Sequence, residues 1–163
     1  MERQGILFDL DMTLVNTSSL ANLRKQRLWS QVYSHISDTV LFPGIRDLIR
    51  ELSGVYKIGV VTTSPRPYAE RVIRFHSLPI TVVAAYHDTS NHKPHPEPLL
   101  YACQKLGIIP SRTASIGDEL GDFKASSSAG MEYFHAIWGG SDSQEIPRER
   151  LCRSASELRD RLL

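Results

Sequence analysis

Two aspartates stand two residues apart in Asp9-Leu10-Asp11-Met12-Thr13, directly after the apolar run Ile6-Leu7-Phe8. Side chains two apart on an extended chain face the same way, so the two carboxylates are expected side by side. Like charges held that close raise one another's pKa unless a cation lies between them. A Mg²⁺ ion meets that need, because it prefers oxygen ligands and keeps several waters. Asp118, behind Gly117, is the expected third carboxylate, and Asp122, one helical turn further on, is placed to steady the metal's waters or a lysine. Lys93 could then join Mg²⁺ in neutralising phosphoryl oxygens. Thr62 offers a hydroxyl, and the turn after it opens a helix whose free N–H groups suit an anion. Together these residues supply a nucleophile, an acid/base, a metal site and a phosphate cradle. Phosphoryl transfer asks for little more than such positioning and charge stabilisation.

The elements that must position them follow from hydrophobic patterning. Strands are expected at Ile6–Phe8, Tyr56–Val61, Ile80–Ala85, Ala114–Gly117 and, as the last of them, Tyr133–Trp138. Between them, helices are expected over about 18–35, 45–52, 67–76, 99–106 and 121–129, with a closing helix at 155–162. Gly54, Gly107 and Gly130 stand where helices should end. Strands alternating with helices of this length imply right-handed βαβ units around a mainly parallel sheet, an α/β Rossmann-like three-layer sandwich. Sites in such sheets gather at the carboxyl ends of strands. Asp9, Thr62 and Asp118 each follow a predicted strand and should converge on one rim.

Size and charge narrow the function classes. A chain of 163 residues suits a single domain, and a formal net charge of +1 gives no sign of nucleic-acid or membrane-surface binding. The first apolar run is too short to span a membrane, and no signal-peptide pattern follows it. Cys103 and Cys152 do not form a disulfide framework, so a reducing, cytoplasmic setting is expected.

Four segments in order carry a resemblance. They are Asp9-Leu10-Asp11-Met12-Thr13, Val60-Val61-Thr62-Thr63-Ser64-Pro65, Lys93-Pro94-His95-Pro96-Glu97-Pro98, and Ile116-Gly117-Asp118-Glu119-Leu120-Gly121-Asp122. Phe42-Pro43-Gly44 and Ala129-Gly130-Met131 add weaker marks. With these segments the chain resembles the haloacid dehalogenase superfamily, in its phosphoglycolate-phosphatase-like branch. The resemblance implies a Mg²⁺-dependent phosphatase acting on phosphate monoesters through an aspartyl-phosphate. It makes Asp9 the nucleophile and Asp11 the acid that protonates the leaving oxygen and then activates water. It gives phosphate contacts to the Thr62 hydroxyl, the Thr63 N–H and Lys93. It assigns the metal to Asp9, Asp11 through its backbone carbonyl, and Asp118, with Asp122 supporting those ligands. Thr13 is expected to brace the loop.

Three departures qualify the resemblance. The branch usually carries a helical cap more than twice as long as the insertion expected here, at about 15–42 within one domain spanning 1–163. A short cap leaves the site open, with room for a phosphorylated small molecule or a phosphorylated macromolecule, in a monomer or weak homodimer. The branch often has Asn where Thr63 stands. The second aspartate, which true dehalogenases lack, argues against carbon–halogen cleavage. The competing readings are a phosphotransferase of the same superfamily and a non-catalytic binding or regulatory module on the same fold. His87, His92 and His95 share one loop but lack zinc-site spacing, although His87 or His95 could touch a substrate. Arg24, Lys25 and Arg27 read as a solvated helix face, Trp29 and Tyr33 as packing, and Glu119 as exposed.

Overall fold

A computed structural model describes residues 2–163. The strand that bears the first aspartates, β1 (Gly5–Phe8), is buried along its whole length. It lies between β4 (Lys57–Val61) and β6 (Thr113–Gly117), in a six-stranded parallel sheet. β5 (Val82–Ala84) extends the sheet beyond β4, and β7 (Glu132–Ala136) and β8 (Leu151–Cys152) extend it beyond β6, giving the order β5-β4-β1-β6-β7-β8. Ile6 and Phe8 join one core, with α3 (Ile45–Ser53), α4 (Arg66–Phe75) and α7 (Ala155–Leu162). Leu7 joins a second, with α5 (Glu97–Leu106) and α6 (Leu120–Ser128). Side chains alternate across a strand, so one apolar run supplies both cores. With helices on both faces, the strands read as continuous hydrophobic runs. This is the expected three-layer sandwich.

The register aligns the strand ends. Phe8 pairs with Val60 on one side and Ile116 on the other. The ladder continues one step, with Asp9 N–H donating to Ile116 O at 2.9 Å and Thr62 N–H to Ala84 O at 2.9 Å. From β1 the chain builds outward to β4 and β5, then returns to β6 on the other side. The strand order therefore reverses beside β1, where a crevice opens at the carboxyl ends.

Residues 17–39 form an insertion rooted in a two-stranded antiparallel ribbon, β2 (Val15–Asn16) with β3 (Val40–Leu41). The helix expected over 18–35 is two short ones, α1 (Ala21–Lys25) and α2 (Trp29–Ser34). Arg27 breaks it at φ 56°, a left-handed conformation that an α-helix cannot contain. Leu20, Val32 and Ile36 of the insertion are buried in the first core, so it packs onto the sandwich. The last strand is also corrected. β7 stops at Ala136, Trp138 lies in a 3₁₀ turn (Ile137–Gly139), and β8 follows it. Two-residue strands such as β2, β3 and β8 are too short to show periodicity. Among the described residues, no helix is long and apolar enough to cross a membrane.

Candidate active site

Asp9, Thr62, Lys93, Asp118 and Asp122 meet at the rim where β1, β4 and β6 end, as the motif spacing predicts. Lys93 comes from the loop before α5 and is nearly buried. Its Nζ donates to Asp9 Oδ1 at 3.0 Å, Asp122 Oδ1 at 2.6 Å and the Val61 carbonyl at 3.0 Å. An ammonium has three protons, and all three are placed. Burial opposes its charge, but Asp122 and Asp9 outweigh it and hold the Lys93 pKa above the ordinary lysine range.

Asp122 sits in the first turn of α6. Its Oδ2 accepts the backbone N–H of Asp118 at 3.2 Å and of Glu119 at 3.1 Å, the usual task of an acid at a helix start. A Cβ on Gly117 would lie 2.3 Å from Asp122 Cγ, so only glycine lets the strand pass this carboxylate. Asp122 thereby links Lys93 to the Asp118 turn.

Asp9 and Asp118 approach from neighbouring strands. The Thr13 hydroxyl lies 3.2 Å from both Asp9 Oδ2 and Asp118 Oδ1. Burial drives the Asp9 carboxyl well above its usual range, partly offset by Lys93 and reinforced by Asp122 and Asp118. Burial likewise pushes Asp118 up to about 6. Oxygens of Asp9, Asp118 and Asp122 all lie within 4.8 Å of one another. Two buried carboxylates and the partly buried Asp9 against one ammonium leave an excess of negative charge, which is costly unless the groups protonate or gain a cation. That all-oxygen donor set fits a hard divalent ion.

Asp11 departs from the sequence expectation. It lines the same cavity as Asp9, but its carboxylate is not part of the Asp9, Asp118 and Asp122 cluster. The strand ends at Phe8, Met12 takes φ 63°, and the N–H groups of Leu14 and Val15 close back on Leu10 O. Extended geometry does not persist to residue 11, so the same-face argument fails. The Asp11 carboxylate turns toward the insertion instead. Its Oδ1 accepts from Thr17 Oγ1 at 2.8 Å and Tyr68 Oη at 2.6 Å, and its Oδ2 from Arg24 Nη2 at 3.0 Å and Ser64 Oγ at 3.1 Å. Burial, and then the Asp11 charge, hold the Tyr68 hydroxyl above its ordinary pKa.

The Thr62 hydroxyl oxygen accepts the Ser64 N–H at 3.1 Å, which leaves its proton free to donate. A cavity of about 190 Å³ collects Asp9, Asp11, Thr62, Thr63, Lys93 and Asp122 along its wall. His92 and His95 stand apart from it. His92 stacks on Tyr86 at 4.0 Å between ring centroids, and His95 Nδ1 accepts the Glu97 N–H at 3.0 Å.

The haloacid dehalogenase-like hydrolase family matches residues 21–136. The chain belongs to that family. The matched stretch contains Thr62, Lys93, Asp118 and Asp122 and begins downstream of Asp9 and Asp11. Among curated relatives within this broad group, a phosphoglycolate phosphatase from Salmonella typhimurium is 35% identical over 129 residues, covering 74% of this chain and 50% of its own. The chain thus spans about half the length of the curated relatives it matches. Solved haloacid dehalogenase-like folds align more completely. A Lactobacillus plantarum structure superposes with TM-score 0.84 at 22% identity over all of both chains. CbbY from Rhodobacter sphaeroides, in complex with phosphate, gives TM-score 0.78 at 22% identity over 96% of each.

Sequence reasoning missed Arg24, Ser64, Tyr68, Trp138 and Gly139. The indole N–H of Trp138 donates to Thr13 O at 2.9 Å. A Cβ on Gly139 would meet Met12 O at 2.3 Å and Asp118 Cβ at 2.6 Å. The turn after β7 therefore presses directly on the loop after β1. Arg24 is no solvated helix residue, because it spans to Asp11 and Ser64.

Proposed function

We propose that this chain is a Mg²⁺-dependent phosphatase that hydrolyses phosphate monoesters through an aspartyl-phosphate on Asp9. The observation that supports this most is the Lys93 ammonium bridging Asp9 and Asp122 beside the Asp118 carboxylate, at the rim where three strands end. Asp9, Asp118 and the backbone carbonyl of Asp11 would hold Mg²⁺, with Asp122 as support. When bound, the ion supplies positive charge to the phosphoryl oxygens and screens Asp9 from them.

The residues divide the work. Lys93 orients Asp9 and offsets charge on the equatorial oxygens. The Thr62 hydroxyl and Thr63 N–H hold the phosphoryl group in line with an Asp9 oxygen. As the Asp9–phosphorus bond forms and the ester bond breaks, Asp11 gives its proton to the leaving oxygen. Asp11 then takes a proton from water as that water attacks phosphorus. The bond to Asp9 breaks, and phosphate and free Asp9 are released.

In this reading the described chain acts as one hydrolase domain with residues 15–42 as its cap, and two free, buried cysteines suit a reducing cytoplasm. The test is hydrolysis of para-nitrophenyl phosphate with Mg²⁺ and with EDTA, beside Asp9→Asn. Mg²⁺-dependent turnover abolished in Asp9→Asn is expected. No turnover in Mg²⁺, or wild-type turnover by Asp9→Asn, sinks the proposal.

A further inference from the structure

The loop that follows β7 is exposed at Ser141, yet it is held from inside the core. His135 is fully buried on β7, and its Nε2 lies 2.7 Å from the Ser141 carbonyl. A carbonyl only accepts, so Nε2 carries a proton. Nδ1 is then the acceptor for the Tyr133 hydroxyl, 2.8 Å away. Burial, then the charges of Asp122, Asp9 and Asp118, keep that hydroxyl protonated. The run from Tyr133 through His135 to Ser141 therefore has one direction, and both ring nitrogens are satisfied.

What His135 holds lies against the carboxylate cluster. In the sheet it pairs with Gly117, the residue before Asp118. Ser141 closes the segment that begins with the turn Ile137–Gly139. In that turn Trp138 donates to Thr13 O, and Gly139 sits so close to Met12 O and Asp118 that no Cβ fits. Thr13 in turn reaches both Asp9 and Asp118. Gly140, at φ 92°, joins the turn to Ser141. Two successive glycines are conformationally free, so the turn needs an anchor on their far side. The tie between Asp142 and Arg148 is half exposed and screened by solvent, and it holds weakly. The buried anchor is the bond from His135 to Ser141.

We propose that His135 is a positioning residue for the metal centre: by fixing Ser141 it clamps the Trp138-Gly139 turn against Met12 and Asp118, and so keeps the ligand groups of Asp9, Asp11 and Asp118 in place. This rests on the metal site of the phosphatase reading. His135 touches neither the ion nor a substrate. It acts through the turn, by removing freedom that the loop after β1 would otherwise lose when a cation binds. Residues that hold ligands in this way commonly set metal affinity by about 10–100-fold.

The test is Mg²⁺ binding by calorimetry, below the melting range of every variant. The amide of Asn reaches the position of Nδ1, so His135→Asn keeps the Tyr133 bond and falls short of Ser141. The amide of Gln reaches the position of Nε2, so His135→Gln keeps the Ser141 bond. His135→Asn should bind Mg²⁺ about ten-fold or more weakly than wild type, and His135→Gln should recover most of that loss. A purely structural role would lower both alike. The wild type supplies a second measurement that needs no variant. Coupling is reciprocal, so Mg²⁺ must steady the turn by the factor by which the turn favours Mg²⁺. The Gly140 N–H, bonded to Ile137 O at 3.1 Å, should exchange with solvent about ten-fold or more slowly in Mg²⁺ than in EDTA. The Arg112 N–H, in a similar turn before β6, should not change. His135→Asn with wild-type affinity, equal losses in Asn and Gln, or Gly140 exchange indifferent to Mg²⁺ each overturn the proposal while leaving the phosphatase reading intact. The exchange result decides alone if His135→Asn does not fold. A wild type that binds no Mg²⁺ overturns the metal reading and this proposal together.

Discussion

Lys93 Nζ and Asp122 Oδ1 are 2.6 Å apart and almost wholly buried, with Asp9 Oδ1 completing the pair at 3.0 Å on the other side. One cation restrains two carboxylates, and the site's charge balance turns on it. Lys93→Met should therefore lower kcat by roughly 10²–10³-fold, the usual effect of removing a group that stabilises developing charge. It also strips two buried acids and the partly buried Asp9 of their protein counter-ion, which should cost about 3–5 kcal/mol of stability without metal. Urea denaturation with and without Mg²⁺ checks this. Mg²⁺ should recover part of the stability and little of the activity.

Metal binding should depend on Asp118 and on pH. A cation competes with protons for carboxylates, and burial holds Asp118 near 6 and Asp9 well above its usual range. Mg²⁺ affinity measured by calorimetry should fall steadily as pH drops through 6. Asp118→Asn should abolish binding at every pH. Affinity that is flat from pH 8 to 5 would contradict the cluster as the metal site.

The turn after β7 should matter to the metal loop without touching substrate. Gly139→Ala places a methyl group against Met12 O and Asp118 Cβ. Overpacking of this kind costs about 1–3 kcal/mol, and here the strain falls on a metal ligand, so Mg²⁺ affinity should drop with stability. Trp138→Phe leaves the Thr13 carbonyl without its indole donor and should cost about 1–3 kcal/mol. Thermal melts and Mg²⁺ titrations of both variants test the pair.

His76 ties the end of the insertion to α4 and gives the fold an acid-sensitive point. Thr39 Oγ1 donates to Ile36 O at 2.6 Å, so the 2.8 Å contact to His76 Nε2 has the imidazole N–H as donor. Burial, then the Arg46 charge, lowers the His76 pKa below its usual 6.5. Below 6.5 the unfolded chain takes up a proton that the folded ring resists. This contribution is complete above 6.5 and lost as pH falls through that value. From pH 7.5 to 5.5 the Tm should fall by about 2–4 °C more in wild type than in His76→Gln. A His76→Gln melt that declines equally with pH would refute this assignment.

The sandwich and most of the site were legible in the chain because they rest on local signals. Ile6-Leu7-Phe8, Tyr56 to Val61 and the helix stops at Gly54 and Gly107 carry their own periodicity and punctuation, and Asp9, Thr62 and Asp118 directly follow strands, while Lys93 in its proline-rich loop and Asp122 in the first turn of a helix were legible from their motifs. The hydrogen-bond partners of Asp11, Thr17, Arg24, Ser64 and Tyr68, were not legible, because the chain turns there at one left-handed residue, Met12, which no pattern marks. Arg24, Tyr68 and Trp138 reach the site through contacts 13, 57 and 125 residues apart in sequence. Their types fit ordinary helix or core positions, and nothing nearby distinguishes them. The break at Arg27 is of the same kind, since tertiary packing overrides a continuous helical pattern.

The central claim, that Asp9 carries the phosphoryl group, is tested most directly by acid-quenching the protein during turnover of a phosphate ester in Mg²⁺ and sequencing its peptides by mass spectrometry. The account predicts one phosphoryl group on Asp9, absent when EDTA replaces Mg²⁺ and absent in Asp9→Asn. Steady turnover with Asp9 unmodified, or with the phosphoryl group on another residue, would contradict it.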